Sequence, residues 1–304
     1  MNDQFAIAIH GGAGTLHRER FSPDVVQQYE KALRQALQAG LHILQNGGRS
    51  LDALETAVRE LEECPFFNAG RGAVFNADGG HSLDAAIMDG RTLAAGAVAG
   101  ISGFKSPIQV ARAVMEKTRY VLLSGQGAAD FARDQGFEEA AADYFYTDLR
   151  YHQWKKKQEN ELDESADLNF GTVGAVALDK NGNLAAATST GGLTNKRYGR
   201  VGDSPIIGSG TYANNNTCAV SCTGDGEHFI RSVVAYDISC LIEYKQLTLR
   251  DACAFAMQRL QKIDGTGGLI AIDRWGNIQM PYNSEGMYRA CAYTSGEIEI
   301  KIFE

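Results

Sequence analysis

Residues 171–192 read GTVGAVALDKNGNLAAATSTGG, and the fold turns on how they are read. Val173–Leu178 and Leu184–Ser189 are apolar runs of strand length. Between them stands Asp179-Lys180-Asn181-Gly182, whose Asn-Gly pair marks a hairpin. An antiparallel hairpin brings its two open ends together. Thr172, just before the first strand, is therefore expected near Thr190, at the end of the second. Upstream, Glu161–Asn169 is mostly polar and acidic. The step from that stretch into Val173–Leu178 reads as a processing boundary inside one gene product. If the Gly171–Thr172 bond is cut, hydroxyl and free α-amine share one residue. Threonine is a weak nucleophile that needs an adjacent base, and an N-terminal amine can be that base.

Working outward, Phe5–His10 reads as a strand running into Gly11-Gly12-Ala13-Gly14. Ser22 and Pro23 open a helix, closed by Gly47-Gly48. Ser50 is expected to cap a second. A loop over Cys64–Ala73 leads to strands near Val74–Asn76 and Leu83–Met88, and helices start at Ser106-Pro107 and near Gln126. Tyr151–Asn169, with its lysine run and many acids, reads as a mobile linker. In the second half, Ala219–Cys222 is a strand, Glu227–Lys245 one long helix, and Thr248 a cap. Leu269–Asp273 and Asn277–Met280 form a last hairpin. Strands that open each half and helices that follow predict helices packed on stacked sheets.

Composition narrows the function. With 304 residues the chain can bury a large core, and 44% hydrophobic against 22% charged residues describes a soluble globular protein. A formal charge of −8 argues against nucleic acid as a partner. Leu93–Ile101 is apolar but far too short to span a membrane. The six cysteines show no C-x-x-C pair and read as reduced, buried thiols of a cytosolic protein. The start, Met1-Asn2-Asp3-Gln4, lacks the pattern of a signal peptide.

Several motifs can be set aside. Gly208-Ser209-Gly210-Thr211-Tyr212-Ala213 fits a dinucleotide fingerprint, but a strand rather than a helix is expected after it. Gly11–Gly14 lacks the Lys-Ser/Thr of a P-loop, and no G-x-S-x-G elbow occurs. The six histidines are scattered, with no pair at zinc-binding helical spacing. His10 reads first as a histidine tied by hydrogen bonds near a strand end, with a functional role as the alternative. Thr172, Thr190 and Thr223 each stand beside glycines at a strand end. The three together favour a site, in which the Thr223 hydroxyl and a glycine N–H could form an oxyanion hole. Arg200 and Asp203 offer a carboxylate clamp and an ammonium partner, suited to the zwitterionic end of an amino acid. A surface ion pair fits them equally well.

Nine ordered blocks then carry a resemblance. They are AIHGGAG (8–14), LEECPFFNAGRGAVF (61–75), LDAAIMDG (83–90), AGAVAGI (95–101), GTVGAVALD (171–179), TSTGG (188–192), GRVGDSPIIG (199–208), SCTGDGEHFIR (221–231) and GLIAID (268–273). The chain resembles the plant-type L-asparaginases, or isoaspartyl aminopeptidases, of the N-terminal-nucleophile hydrolase superfamily, with bacterial members most alike. The resemblance implies a single domain folded as an αββα sandwich of two facing sheets. It implies self-cleavage at Gly171–Thr172 into an α chain, 1–171, ending in a linker near 151–170, and a β chain, 172–304. Thr172 would be the nucleophile and Thr190 its hydrogen-bond partner. Thr223 and Gly224 would form the oxyanion hole. Arg200 would bind the substrate α-carboxylate and Asp203 its ammonium, with Gly226 lining the pocket and Asn68 facing the site. No organic cofactor is implied. A structural sodium would be held by the loop carbonyls of Leu61, Glu62, Cys64, Phe67, Ala69 and Arg71. Substrates would be β-aspartyl dipeptides and asparagine, and the assembly a dimer of αβ units in the cytoplasm.

Two residues depart from the family pattern: Asp225, between the glycines of the 223–226 loop, and Arg71, in the ion-loop block. Asp225 would weaken the oxyanion hole or point to solvent, and Arg71 would alter its loop. The rival readings are a glycosylasparaginase, whose known members carry an acidic residue where Gly171 stands, and a non-catalytic binding protein that stays one chain.

Overall fold

The computed structural model describes residues 4–159 and 171–303. The first segment holds β1 (Ala6–Gly14), α1 (Pro23–Gln45), α2 (Ser50–Glu63), β2 (Leu83–Asp89), β3 (Ala95–Ile101), α3 (Pro107–Lys117), β4 (Leu122–Ser124), α4 (Gly125–Asp134), α5 (Ala142–Phe145) and α6 (Asp148–Glu159). The second holds β5 (Val173–Leu178), β6 (Leu184–Thr190), β7 (Thr211–Ala213), β8 (Cys218–Gly224), α7 (Gly226–Ser232), α8 (Val234–Lys245), α9 (Leu249–Gln261), β9 (Gly267–Asp273), β10 (Ile278–Gln279), β11 (Gly286–Tyr293) and β12 (Ile298–Lys301). Among the described residues one sheet runs β12-β11-β1-β5-β6-β2-β3-β4 and a second runs β10-β9-β8-β7.

Alternation along β5 shows the layering, because successive side chains of a strand point to opposite faces. Val173, Ala175 and Ala177 pack with Leu37, Leu54 and Leu61 of α1 and α2. Val176 and Leu178 point the other way, onto Ala219, Ile270 and Ile272 of the second sheet. That sheet's far face, through Val220, Cys222 and Leu269, packs on Ile238, Ala252 and Leu260 of α8 and α9. The order is helix, sheet, sheet, helix, which is the αββα sandwich expected. Both faces of β5 are covered, so the strand is apolar along its whole length.

Ser22 caps α1 by accepting from the Val25 N–H at 3.4 Å, and Thr248 caps α9 from Asp251 at 3.2 Å, as read from sequence. Other expectations are corrected. β1 does not stop at His10. It continues through the glycines with a register break between His10 and Gly12. A side chain at Gly11 would put its Cβ 2.3 Å from the Phe67 ring, so glycine there serves a close approach within the strand. Ser50 is not the cap of α2; its N–H is taken by the buried Asp179 carboxylate at 3.0 Å. Val74–Asn76 is not a strand, because the Val74 N–H goes to the Asn68 side chain and Asn76 closes a turn onto Asp78 and Gly80. The long helix breaks in two at Val233, which takes a left-handed φ of 48°. Ala95–Ile101 is an inner strand, its apolar run covered on both sides.

The linker reading fails over its first part. Through Glu159 the chain is α6, where Trp154 stacks on Phe75 with ring centroids 5.4 Å apart. The remainder of the expected linker, 160–170, lies outside the described residues. All six cysteines are free, and Cys218, Cys222, Cys253 and Cys291 are buried. Among the described residues no helix is long and apolar enough to cross a membrane.

Candidate active site

The β5–β6 hairpin pairs Val173 with Ser189, which leaves Thr172 and Thr190 side by side at its open end. The Thr172 hydroxyl donates to Thr190 Oγ1 at 3.1 Å. Thr190 in turn donates to the Gly171 carbonyl at 3.1 Å, and its oxygen also accepts the Gly192 N–H at 2.9 Å. Asn68 adds a second side-chain donor, its Nδ2 reaching the Gly171 carbonyl at 2.8 Å and the Gly192 carbonyl at 2.7 Å. The Asn68 amide is oriented by Val74, whose N–H donates to Oδ1 at 3.0 Å. Asn68 lies so close that a Cβ on Gly171 would be 2.6 Å from its own. The carbonyl ahead of Thr172 is thus polarised by two donors, and the residue that carries it must be glycine.

A pocket beside this group is lined by Thr172, Thr190, Gly192, Arg200, Asp203 and Gly224, among others. It offers about 10 Å³, room for little more than one water. Arg200 and Asp203 line it, and Gly226, expected in the lining, instead lies against these two. A side chain on Gly226 would put its Cβ 2.9 Å from an Arg200 nitrogen and 3.0 Å from Asp203 Oδ1. Asp203 is 4% exposed, and its Oδ2 has no hydrogen-bond partner. Burial pushes its carboxyl up to about 7, with Arg200 opposing that shift. The orphaned oxygen is buried against Gly210, where a Cβ would lie 2.8 Å from it. Arg200 is already engaged, its guanidinium bonded to both oxygens of Glu227.

Gly224 lines the pocket with Thr172. Thr223 is fully buried behind it; its hydroxyl oxygen accepts the Ala13 N–H at 3.3 Å and so keeps its own proton for donation. The Asp225 side chain turns to the His228 ring rather than to Thr223. The Arg71 side chain leaves its loop and lies over the Tyr144 ring, 5.9 Å from the centroid.

His10, read first as structural, has a direct contact with the site. Its Nδ1 donates to the Thr172 carbonyl at 3.0 Å, which fixes the proton on that nitrogen and leaves Nε2 to accept from Ser221 Oγ at 2.9 Å. The chain continues to Thr188 at 2.7 Å and Thr211 at 2.6 Å, between the two sheets. Burial holds the imidazole neutral, with its pKa lowered to about 3. Gly174 makes room for this wire, since a Cβ there would lie 2.0 Å from Ser221 Oγ. Sequence reasoning also passed over Lys196, whose buried ammonium sits behind Gly192, donates to the Ser82 carbonyl at 2.7 Å and faces Asp84 at 4.0 Å. Only its nearness to the Thr190 segment pointed there.

A family model described as asparaginase matches residues 3–302. The chain belongs to this asparaginase family. It is 53% identical over 296 residues to an isoaspartyl peptidase of Salmonella typhimurium, covering 94% of this chain and 95% of that one. It is 52% identical to the isoaspartyl peptidase of Escherichia coli, covering 94% and 92%. A plant-type L-asparaginase of Thermococcus kodakarensis is 44% identical over 93% and 94% of the two chains. In this member of the asparaginase family, expected site residues from four separated segments, represented by Asn68, the Thr172–Thr190 hairpin, Arg200 with Asp203, and Gly224, meet at one end of the β5–β6 hairpin.

Proposed function

We propose that this chain cuts itself between Gly171 and Thr172, and that the freed Thr172 then hydrolyses β-aspartyl dipeptides and L-asparagine. The observation that carries the reading is the Gly171 carbonyl, held by Asn68 and Thr190 with the Thr172 hydroxyl beside it. In self-cleavage Thr172 Oγ attacks the Gly171 carbonyl carbon. The oxygen becomes an oxyanion on the Asn68 amide and the Thr190 hydroxyl, the kind of preorganised donors that stabilise such charge. The C–N bond breaks and the hydroxyl proton ends on the departing nitrogen, leaving an ester on Thr172. Water hydrolyses that ester, giving an α chain of 1–171 and a β chain of 172–304.

In the hydrolase, Thr172 Oγ attacks the side-chain carbonyl of the substrate and its own α-amine takes the proton. The new oxyanion rests on Thr223 and Gly224. Ammonia or an amino acid leaves with that proton, and water releases aspartate from the Thr172 ester. Arg200 holds the substrate carboxylate, and the Asp203 carboxylate, which lines the same pocket, accepts from its ammonium. With room for one water, the uncut pocket suits maturation before substrate binding.

No step needs an organic cofactor. The loop after α2 suits a monovalent cation. Pro65, four residues after Leu61, has no N–H for that carbonyl, and the last turn of α2 carries no basic side chain. The carbonyls of Leu61, Glu62, Cys64, Phe67, Ala69 and Arg71 would hold a sodium ion, helped by the negative end of the helix dipole. We further infer a cytoplasmic protein that assembles as a dimer of αβ units. The deciding experiment pairs a denaturing gel with hydrolysis of β-aspartyl-leucine. Two fragments, the smaller starting Thr-Val-Gly, and release of leucine are expected. A chain that stays whole and inert overturns the reading, and a preference for glycosylated asparagine replaces it with the glycosylasparaginase.

A further inference from the structure

Arg150 stands on α6, the last described helix before the segment that leads to Gly171. It is 7% exposed, and no carboxylate pairs with it among the described residues. Its guanidinium is spent on main-chain carbonyls instead. Nε donates to Gly72 at 2.8 Å and Nη2 to Phe66 at 3.1 Å, while Nη1 reaches Gln153 at 3.0 Å. Phe66 and Gly72 bracket Asn68. The bracketed turn is closed tightly by its own bonds, Ala69 N–H to the Phe67 carbonyl and Gly72 N–H to the Ala69 carbonyl, both at 3.0 Å. A Cβ on Gly72 would lie 2.1 Å from the Phe67 carbonyl oxygen. One planar, rigid fork therefore joins the two ends of the loop that presents Asn68.

We propose that Arg150 is a positioning residue for self-cleavage: it fixes the 66–72 loop so that the Asn68 amide meets the Gly171 carbonyl. The inference rests on the self-cleavage reading above. The carbonyls it takes, Phe66 and Gly72, are outside the six assigned to sodium, so the guanidinium and the ion would brace different parts of one loop. A lysine carries the charge but has no fork to span both carbonyls, and a methionine fills the volume with neither.

The test follows the loss of uncut chain by gel for wild type, Arg150→Met and Arg150→Lys, with melting curves confirming the fold. Cleavage is expected at least about tenfold slower in Arg150→Met and intermediate in Arg150→Lys. Because Arg150 acts through Asn68, Arg150→Met should add less than twofold in an Asn68→Ala background, followed over days. Once matured, Arg150→Met should keep its KM for β-aspartyl-leucine within twofold, since Arg200 and Asp203 are untouched. Cleavage at the wild-type rate in either folded single variant overturns the proposal. So does an equal slowing in the Asn68→Ala background, or a KM that shifts along with the cleavage rate, since each marks a general loss of structure. If Arg150→Met does not fold, Arg150→Lys decides alone. A wild-type chain that never cuts sinks the self-cleavage reading itself; a wild type that cuts normally beside unaffected Arg150 variants sinks only this one.

Discussion

Arg200 meets Glu227 fork to fork, with Nε–Oε1 at 2.8 Å and Nη2–Oε2 at 2.7 Å. These bonds hold the Glu227 carboxyl down at about 2. The pair stays charged as pH falls through the ordinary carboxylate range, and is lost only near the lowered value. A substrate carboxylate must displace Glu227 to reach Arg200. Glu227 is half exposed, so the pair is worth about 0.5–1 kcal/mol. Glu227→Gln should therefore lower KM for β-aspartyl-leucine roughly two- to fivefold. Steady-state kinetics check this; a raised KM would mean that Glu227 helps to bind substrate.

Asp203 gives a pH dependence of definite sign. Its carboxyl is raised from 3.8 to about 7 by burial, so the neutral form prevails below that value. What it adds to stability is complete below 3.8 and is lost as pH rises through about 7. Only the ionised form pairs with an ammonium. Since kcat/KM reports the free enzyme, it should rise with pH through about 7. The freed Thr172 α-amine must also lose its proton to act as base, and a reference α-amino group titrates at about 7.7–8.0. Asp203→Asn separates the two: it should remove the lower limb and leave the upper. A limb near 7 that persists in Asp203→Asn would assign it elsewhere.

Self-cleavage should answer to the donors on Gly171. Thr172→Ala should stay one chain without hydrolysis. Asn68→Ala removes one oxyanion donor, a change that costs about 2.7–4 kcal/mol, or roughly 10²–10³ in rate, in comparable hydrolases. Thr223→Ala should leave cleavage intact and slow turnover of the matured enzyme to a similar extent. Timed gels and turnover rates on matured protein test the division. If Thr223→Ala slows cleavage more than turnover, the two oxyanion sites have been assigned the wrong way round.

His10 ties the nucleophile's carbonyl to the core between the sheets. Its folded pKa of about 3 lies below the ordinary 6.5, so the unfolded chain takes up more protons between those values. The stability it contributes is complete above 6.5 and drains away as pH falls toward 3. His10→Leu should flatten that part of the stability-versus-pH curve. It also strands the Thr172 carbonyl, at a cost of about 1–3 kcal/mol for a buried group left unpaired, while the Ser221 hydroxyl keeps its bond to Thr188. Denaturant melts from pH 4 to 8 measure both effects. A variant with the wild-type slope would show that His10 does not carry the acid limb.

The hairpin and its threonines were legible because period-two patterning and an Asn-Gly turn fix register, and register fixes which residues meet. The ordered blocks supplied the four-layer order. Glycine misled where it served packing: the first strand reads as ending at His10, but Gly11 lies inside β1, close against Phe67. Charge misled at α6, whose lysines and acids hide the aromatic face that docks Trp154 on Phe75. The break at Val233 has no glycine or proline to announce it. His10 reads as standing near a strand end, whereas β1 runs on to Gly14, and its partner Thr172 is 162 residues away, a contact that no local pattern reports.

Selectivity is the sharpest consequence of the pocket. If Arg200 binds the α-carboxylate and Asp203 the α-ammonium, the substrate must present both groups free, with the scissile carbonyl on its side chain. β-Aspartyl dipeptides and asparagine do so. An α-aspartyl peptide does not, because its α-carboxylate is consumed in the peptide bond. Arg200→Ala would leave the bound carboxylate without its cation in a largely buried pocket, a loss of about 2–5 kcal/mol. That should lower kcat/KM for β-aspartyl-leucine by roughly 30-fold to several thousand-fold. Self-cleavage should suffer far less, since the Gly171 carbonyl is held by Asn68 and Thr190 rather than by Arg200. The measurement compares β-aspartyl-leucine with α-aspartyl-leucine in wild type and Arg200→Ala, alongside the cleavage time course of each. Equal rates on the two isomers in the wild type would refute the clamp. A cleavage defect as large as the hydrolytic one would place Arg200 in the self-cleavage site instead.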